Sequence, residues 1–172
     1  MMNDRLKSIS LLLLDVDGVL TTGTVTYNDD GQETKEFDVH DGLGIRMLME
    51  AGLQVGIVTG RRSMALIHRC RNLGITIVKD GIGDKADALE SILQETGVTA
   101  AETAFMGDDL PDLPIMRRVG VPIAVGDAHE LVKQSALVTT RAVGGRGAVR
   151  EISERILKAR GDWESLLKRL FA

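Results

Sequence analysis

Leu11-Leu12-Leu13-Leu14-Asp15-Val16-Asp17-Gly18-Val19-Leu20-Thr21 sets four consecutive apolar residues against two carboxylates and a glycine. Four leucines without a polar alternate suit a strand covered on both faces, and such strands belong to parallel sheets flanked by helices. Asp15 ends the run, so the polar residues fall at the strand's carboxyl end, where open α/β sheets bind ligands.

Outward from this stretch the pattern repeats. Apolar runs at 9–14, 55–58, 75–78, 103–106, 122–125 and 137–139 read as strands. Between them, 42–51, 63–72, 85–96, 111–119 and 128–134 carry helical periodicity, several closed by a glycine such as Gly52, Gly74 or Gly97. The alternation predicts a three-layer, Rossmann-like α/β fold, a parallel sheet with helices on both faces. Residues 24–27 and 33–39 flank Asn28-Asp29-Asp30-Gly31 and predict a β-hairpin over about 24–39, projecting from the first strand's exit. Gly144-Gly145-Arg146-Gly147 predicts a flexible or tightly turned segment, in a flexible tail beginning about 141, before an amphipathic helix at 148–157 and a last segment at 163–171.

The 172 residues, 44% of them hydrophobic, fit one domain spanning the chain. An aromatic content of 3% and a formal net charge of -4 oppose nucleic-acid binding and favour a small substrate. The longest apolar run is too short for a membrane span, so a cytoplasmic protein is expected. Cys70 is the only cysteine and falls in a helical pattern, which predicts a buried, inert thiol. His68 and His129 also fall in helical stretches and read as surface or packing residues.

Chemistry collects after three of the strands: Asp15-Val16-Asp17-Gly18 after the first, Thr59-Gly60-Arg61 after the second, and Gly107-Asp108-Asp109-Leu110-Pro111-Asp112 after the fourth. Clustered carboxylates repel one another unless a cation sits among them, and an oxygen-only donor set suits Mg²⁺, with Asp15 and Asp108 as its side-chain ligands. An Asp15 oxygen facing a phosphate is placed to attack phosphorus. Asp17, two residues on, reaches the leaving oxygen as general acid and later activates water. Thr59 can hydrogen-bond a phosphoryl oxygen, and Lys85, opening a helix, supplies positive charge to the transition state. Singly these residues are ordinary turns and surface groups; their order at successive strand ends carries the reading.

On those residues the sequence resembles the haloacid dehalogenase-like phosphatase superfamily, whose four motifs match 15–21, Thr59-Gly60, Lys85 and 107–112. Stretches 39–48, 107–116 and 144–151 further resemble its family of 3-deoxy-D-manno-octulosonate 8-phosphate phosphatases. The resemblance implies Mg²⁺ held by the Asp15 side chain, the Asp17 carbonyl and the Asp108 side chain, with Asp112 supporting from behind. It also implies a capless unit in a homotetramer whose hairpins meet and whose Gly-rich tail closes a neighbouring site, and the sequence leaves no room for a cap between Asp17 and Thr59. Gly60 and Arg61, beside Thr59, and Arg146 in the tail are the candidates for binding a sugar acid phosphate, in a step of lipopolysaccharide precursor synthesis. Nine-carbon acidic sugar phosphates are the alternative substrates. A phospho-accepting receiver domain is the alternative of another class, but it carries its accepting Asp on a later strand and an acidic pair after the first, the reverse of this order. A silent binding subunit would have lost one of Asp15, Asp17, Thr59, Lys85 or Asp108, and all are present.

Overall fold

A computed structural model describes residues 2–170. Helix α1 (Met2–Lys7) leads into β1 (Leu11–Leu14), and a small hairpin of β2 (Thr26–Tyr27) and β3 (Glu33–Thr34) comes after it. Next come α2 (Val39–Glu50), β4 (Gln54–Val58), α3 (Met64–Leu73), β5 (Ile77–Lys79) and α4 (Lys85–Thr96). The chain continues through β6 (Thr103–Gly107), α5 (Leu113–Met116), β7 (Val121–Ala124), α6 (Glu130–Ser135) and β8 (Val138–Thr139). It closes with α7 (Ala148–Arg160) and α8 (Trp163–Leu170); Phe171, the end of the last segment read from the sequence, lies outside the described residues.

The sheet runs β5-β4-β1-β6-β7-β8 with every pairing parallel. This is the expected α/β layering, and it puts β1 at the centre, its four leucines fully buried. Leu14 pairs in register with Ile57 of β4 and Met106 of β6, so the loops leaving these three strands emerge on one edge. Cys70 is buried, and burial pushes its thiol up to about 11, as an inert thiol requires. No helix among the described residues is long and apolar enough to cross a membrane.

Three expectations shift. The helix expected over 111–119 divides into a single 3₁₀ turn (Leu110–Asp112) and the short α5, because Pro111 and Pro114 cannot donate backbone hydrogen bonds. Helix α2 starts at Val39, inside the expected hairpin, because Asp38 caps it by accepting from the His40 N–H at 2.7 Å. The Gly-rich segment adopts the tight form of the two expected: Gly144 N donates to Asp127 Oδ1 at 2.9 Å and Gly145 N to the Val19 carbonyl at 2.8 Å. The helix beyond it is no loose tail, since Ala148, Val149, Ile152, Ile156 and Leu157 of α7 are fully buried.

Candidate active site

Asp15 stands one residue beyond β1, its N–H bonded to the Met106 carbonyl of β6 at 3.0 Å. Thr59 comes directly after β4 and is tied to β5 through the Lys79 carbonyl at 2.9 Å, while Asp108 comes directly after β6. Lys85, first residue of α4, arrives from the next crossover, where Asp84 caps the helix by accepting from Ala86 N at 2.8 Å. These residues, with Asp17, Gly60, Arg61 and Asp112, line one cavity of about 370 Å³.

Within the cavity Lys85 Nζ lies 2.9 Å from Asp15 Oδ1 and 2.6 Å from Asp112 Oδ1. Asp112 is almost fully buried, and its second oxygen accepts from the N–H groups of Asp108 at 2.9 Å and Asp109 at 3.3 Å. Both Asp112 oxygens are therefore committed, which points to Asp15 and Asp108 as the candidate cation ligands of the trio. Oxygen atoms of the three residues lie within 4.8 Å of one another, and Asp108 Oδ1 is buried with no hydrogen-bond partner.

Three carboxylates facing one ammonium leave an excess of negative charge in a desolvated place. Burial, then the charges of Asp15 and Asp112, push Asp108 up to about 8. Burial likewise pushes Asp15 up to about 6 against the pull of Lys85. For Lys85 burial alone would lower the value, but Asp15 and Asp112 outweigh it and hold the ammonium above its ordinary range. An orphaned buried carboxylate oxygen beside a second carboxylate, with no His or Cys in the set, fits a hard divalent cation such as Mg²⁺.

Two glycines make the cluster possible. A Cβ on Gly18, held at φ 94°, would overlap the Asp108 carboxylate, and one on Gly107 would overlap that of Asp112. Asp109 is the side chain that starts the 3₁₀ turn, accepting from Leu110 N at 2.8 Å, and stands outside the cluster of three. His129 packs against the site through its backbone, its N–H meeting the Asp108 carbonyl at 2.7 Å.

Asp17 points to the mouth, where the hairpin folds back over it. Lys35 pairs with Asp17 and, at 3.1 Å, with Glu33; Arg61 Nη2 bonds Glu33 Oε2 at 2.5 Å and the Tyr27 hydroxyl at 3.3 Å. Sequence reading missed Lys35 and Glu33, because a lysine and a glutamate on a short exposed hairpin carry no motif. Arg146 is not among the residues lining the Asp15 cavity: the pinned glycine turn directs it to a separate hollow beside Thr22, Glu36 and Asp38.

A family model described as haloacid dehalogenase-like hydrolase matches residues 74–152. KdsC of Escherichia coli K12, a 3-deoxy-D-manno-octulosonate 8-phosphate phosphatase, is 42% identical over 157 residues, covering 91% of this chain and 84% of that protein. The crystal structure of the Yersinia pestis phosphatase of that name superposes with a TM-score of 0.93 at 42% identity, covering 95% of this chain and 88% of that one. The Moraxella catarrhalis phosphatase, solved with a magnesium ion, a phosphate ion and a KDO molecule, superposes at 0.96 with 38% identity over 98% and 97% of the two chains. In fold and in sequence, over nearly its whole length, this chain belongs to the 3-deoxy-D-manno-octulosonate 8-phosphate phosphatases, a family of haloacid dehalogenase-like hydrolases.

Proposed function

We propose that this chain hydrolyses the phosphate ester of an acidic sugar, 3-deoxy-D-manno-octulosonate 8-phosphate, through an aspartyl-phosphate on Asp15. The observation that carries the reading is Asp15 at the end of the central strand, between Lys85 and the unpaired oxygen of Asp108, in a cavity that also holds Thr59. The substrate class is supported by the relatives, one of which is solved with magnesium, phosphate and KDO.

In this mechanism an Asp15 oxygen attacks phosphorus and the bond to the ester oxygen breaks, while Asp17 gives that oxygen its proton. A water then attacks the same phosphorus, Asp17 takes its proton, and the bond to Asp15 breaks to release phosphate. Thr59 and Lys85 hold the phosphoryl oxygens, and Gly60 lets the backbone approach. Side-chain oxygens of Asp15 and Asp108 and the Asp17 carbonyl would hold Mg²⁺, with Asp112 fixing Lys85 and the Asp108 backbone behind them. The bound cation supplies charge neutralisation to the phosphoryl group.

Arg61 is the contact for the substrate's anionic group in this reading, exchanging its bond to Glu33 for one to the sugar acid. Arg146 would meet substrate only from another subunit. Assembly as a homotetramer is part of the same proposal, supported by exposed Val25 and Tyr27 on the hairpin segment and Val39 and Leu43 on α2, as is a cytoplasmic location. The test is kcat/KM across equal concentrations of 3-deoxy-D-manno-octulosonate 8-phosphate, nine-carbon acidic sugar phosphates, hexose phosphates and nucleotides. The first should lead; a nine-carbon substrate in first place would overturn the assignment of substrate while leaving the chemistry.

A further inference from the structure

Helix α7 lacks a capping side chain of its own. Its N-cap is Gly147, at φ 94°, so its first N–H groups need an acceptor from elsewhere. Asp41, on α2 and over a hundred residues away in sequence, supplies it: Oδ1 accepts from Arg150 N at 2.7 Å and Oδ2 from Gly147 N at 3.3 Å. Asp41 is 1% exposed, and burial raises its carboxyl above the usual range while these two N–H groups pull the other way. Gly44 lets the helices meet, since a Cβ there would lie 3.1 Å from Arg150 Cα.

The anchored turn in turn lies against the catalytic loop. Gly145 N donates to the Val19 carbonyl, and a Cβ on Gly144 would overlap the Gly18 carbonyl oxygen. Asp127, itself exposed, holds the turn from the other side through Gly144 N. The residues so backed, Gly18 and Val19, come immediately after Asp17.

We infer that Asp41 is a positioning residue for Asp17, acting through the turn at 144–147. This rests on Asp17 being the general acid. The glycine-rich motif thereby has a task within its own subunit, as the back wall of the nucleophile's loop. A cap serving stability alone would touch every substrate alike. A positioning role makes the loss depend on the leaving group, because an alkoxide must be protonated as it departs and p-nitrophenolate need not be.

The experiment compares kcat/KM for 3-deoxy-D-manno-octulosonate 8-phosphate and p-nitrophenyl phosphate in the parent, Asp17→Asn, Asp41→Asn and Asp127→Ala, each with Mg²⁺ present. Asp41→Asn, which retains only one acceptor oxygen, should lose roughly tenfold or more on the sugar ester and no more than about threefold on the aryl ester. Asp127→Ala, at an exposed position, should show the same asymmetry at smaller size and keeps the test open should Asp41→Asn fail to fold. Equal losses on both esters in these two variants, with a clear asymmetry in Asp17→Asn, would overturn the inference. Equal losses in Asp17→Asn itself would instead overturn the general-acid reading on which it stands.

Discussion

Two groups of four charged side chains, one inside the cleft and one at its mouth, are built on opposite principles. In the inner group, three carboxylates (Asp15, Asp108, Asp112) cluster around a single ammonium, that of Lys85, which pairs with Asp15 and Asp112 and leaves Asp108 without a cation, and burial pushes Asp15 and Asp108 upward. In the outer group, two carboxylates (Asp17, Glu33) meet two cations (Lys35, Arg61); the hydrogen bond from Arg61, joined by Lys35, holds Glu33 below its ordinary range. The outer group is balanced in charge and ties the hairpin to the mouth. The inner one is short of positive charge, and that shortage is what equips it for a cation and a phosphoryl group.

The contrast is broken most directly at Asp15. Asp15→Asn should leave the far-ultraviolet spectrum and melting profile near those of the parent while lowering turnover by roughly a thousandfold or more. Turnover within about tenfold of the parent would remove the covalent step from the proposal.

A second measurement exposes the charge shortage itself. Without metal, Asp15 and Asp108 hold protons in the folded chain at pH values where the unfolded chain has released them, because their folded values are raised to about 6 and about 8. The stability tied to those protons is fully present below the unfolded carboxyl range, near pH 4, and is lost as pH rises towards about 8. Chelator-treated protein should therefore lose activity and melt several degrees lower at about pH 8.5 than at about pH 5.5, with Mg²⁺ restoring both and helping melting most at the higher pH. A flat melting profile in chelator would mean that the inner carboxylates are already balanced.

The smallest effect belongs to the outer group. A double-mutant cycle of Arg61→Ala and Glu33→Gln should give a stability coupling below about 1 kcal/mol, because the Arg61 side chain is 45% exposed and solvent screens the pair. Coupling of several kcal/mol would make the mouth a buried structural network.

The inner group was legible because its chemistry comes directly after apolar runs: the leucines of β1 announce their strand, and the next residue is Asp15. The cap on α7 was not, since Asp41 lies on one helix, its partners on another, and no periodicity links them. Helix α1 escaped for a different reason, as a six-residue segment with one buried residue, Leu6, has no apolar period to read. In the segment at 144–147 the glycines signalled freedom, but close approach to Gly18 and Thr21 is what demands Gly144 and Gly145, and a left-handed backbone what demands Gly147. Hairpin geometry came from Asn28, whose side-chain oxygen accepts from Asp30 N and Gln32 N, whereas its fold back over Asp17 depends on long-range ion pairs.

The placement of β1 bears on how the chain reaches this state. Its neighbours in the sheet are β4 and β6, so neither edge of the four-leucine strand is covered until chain from well beyond the hairpin has arrived. Until then Leu11–Leu14 is a short apolar ribbon with both edges open, the kind of segment that recruits other chains. Asp15 and Asp17 come straight after it. Before they meet a substrate, these carboxylates act as gatekeepers, placing negative charge at the end of the most adhesive stretch of the growing polypeptide.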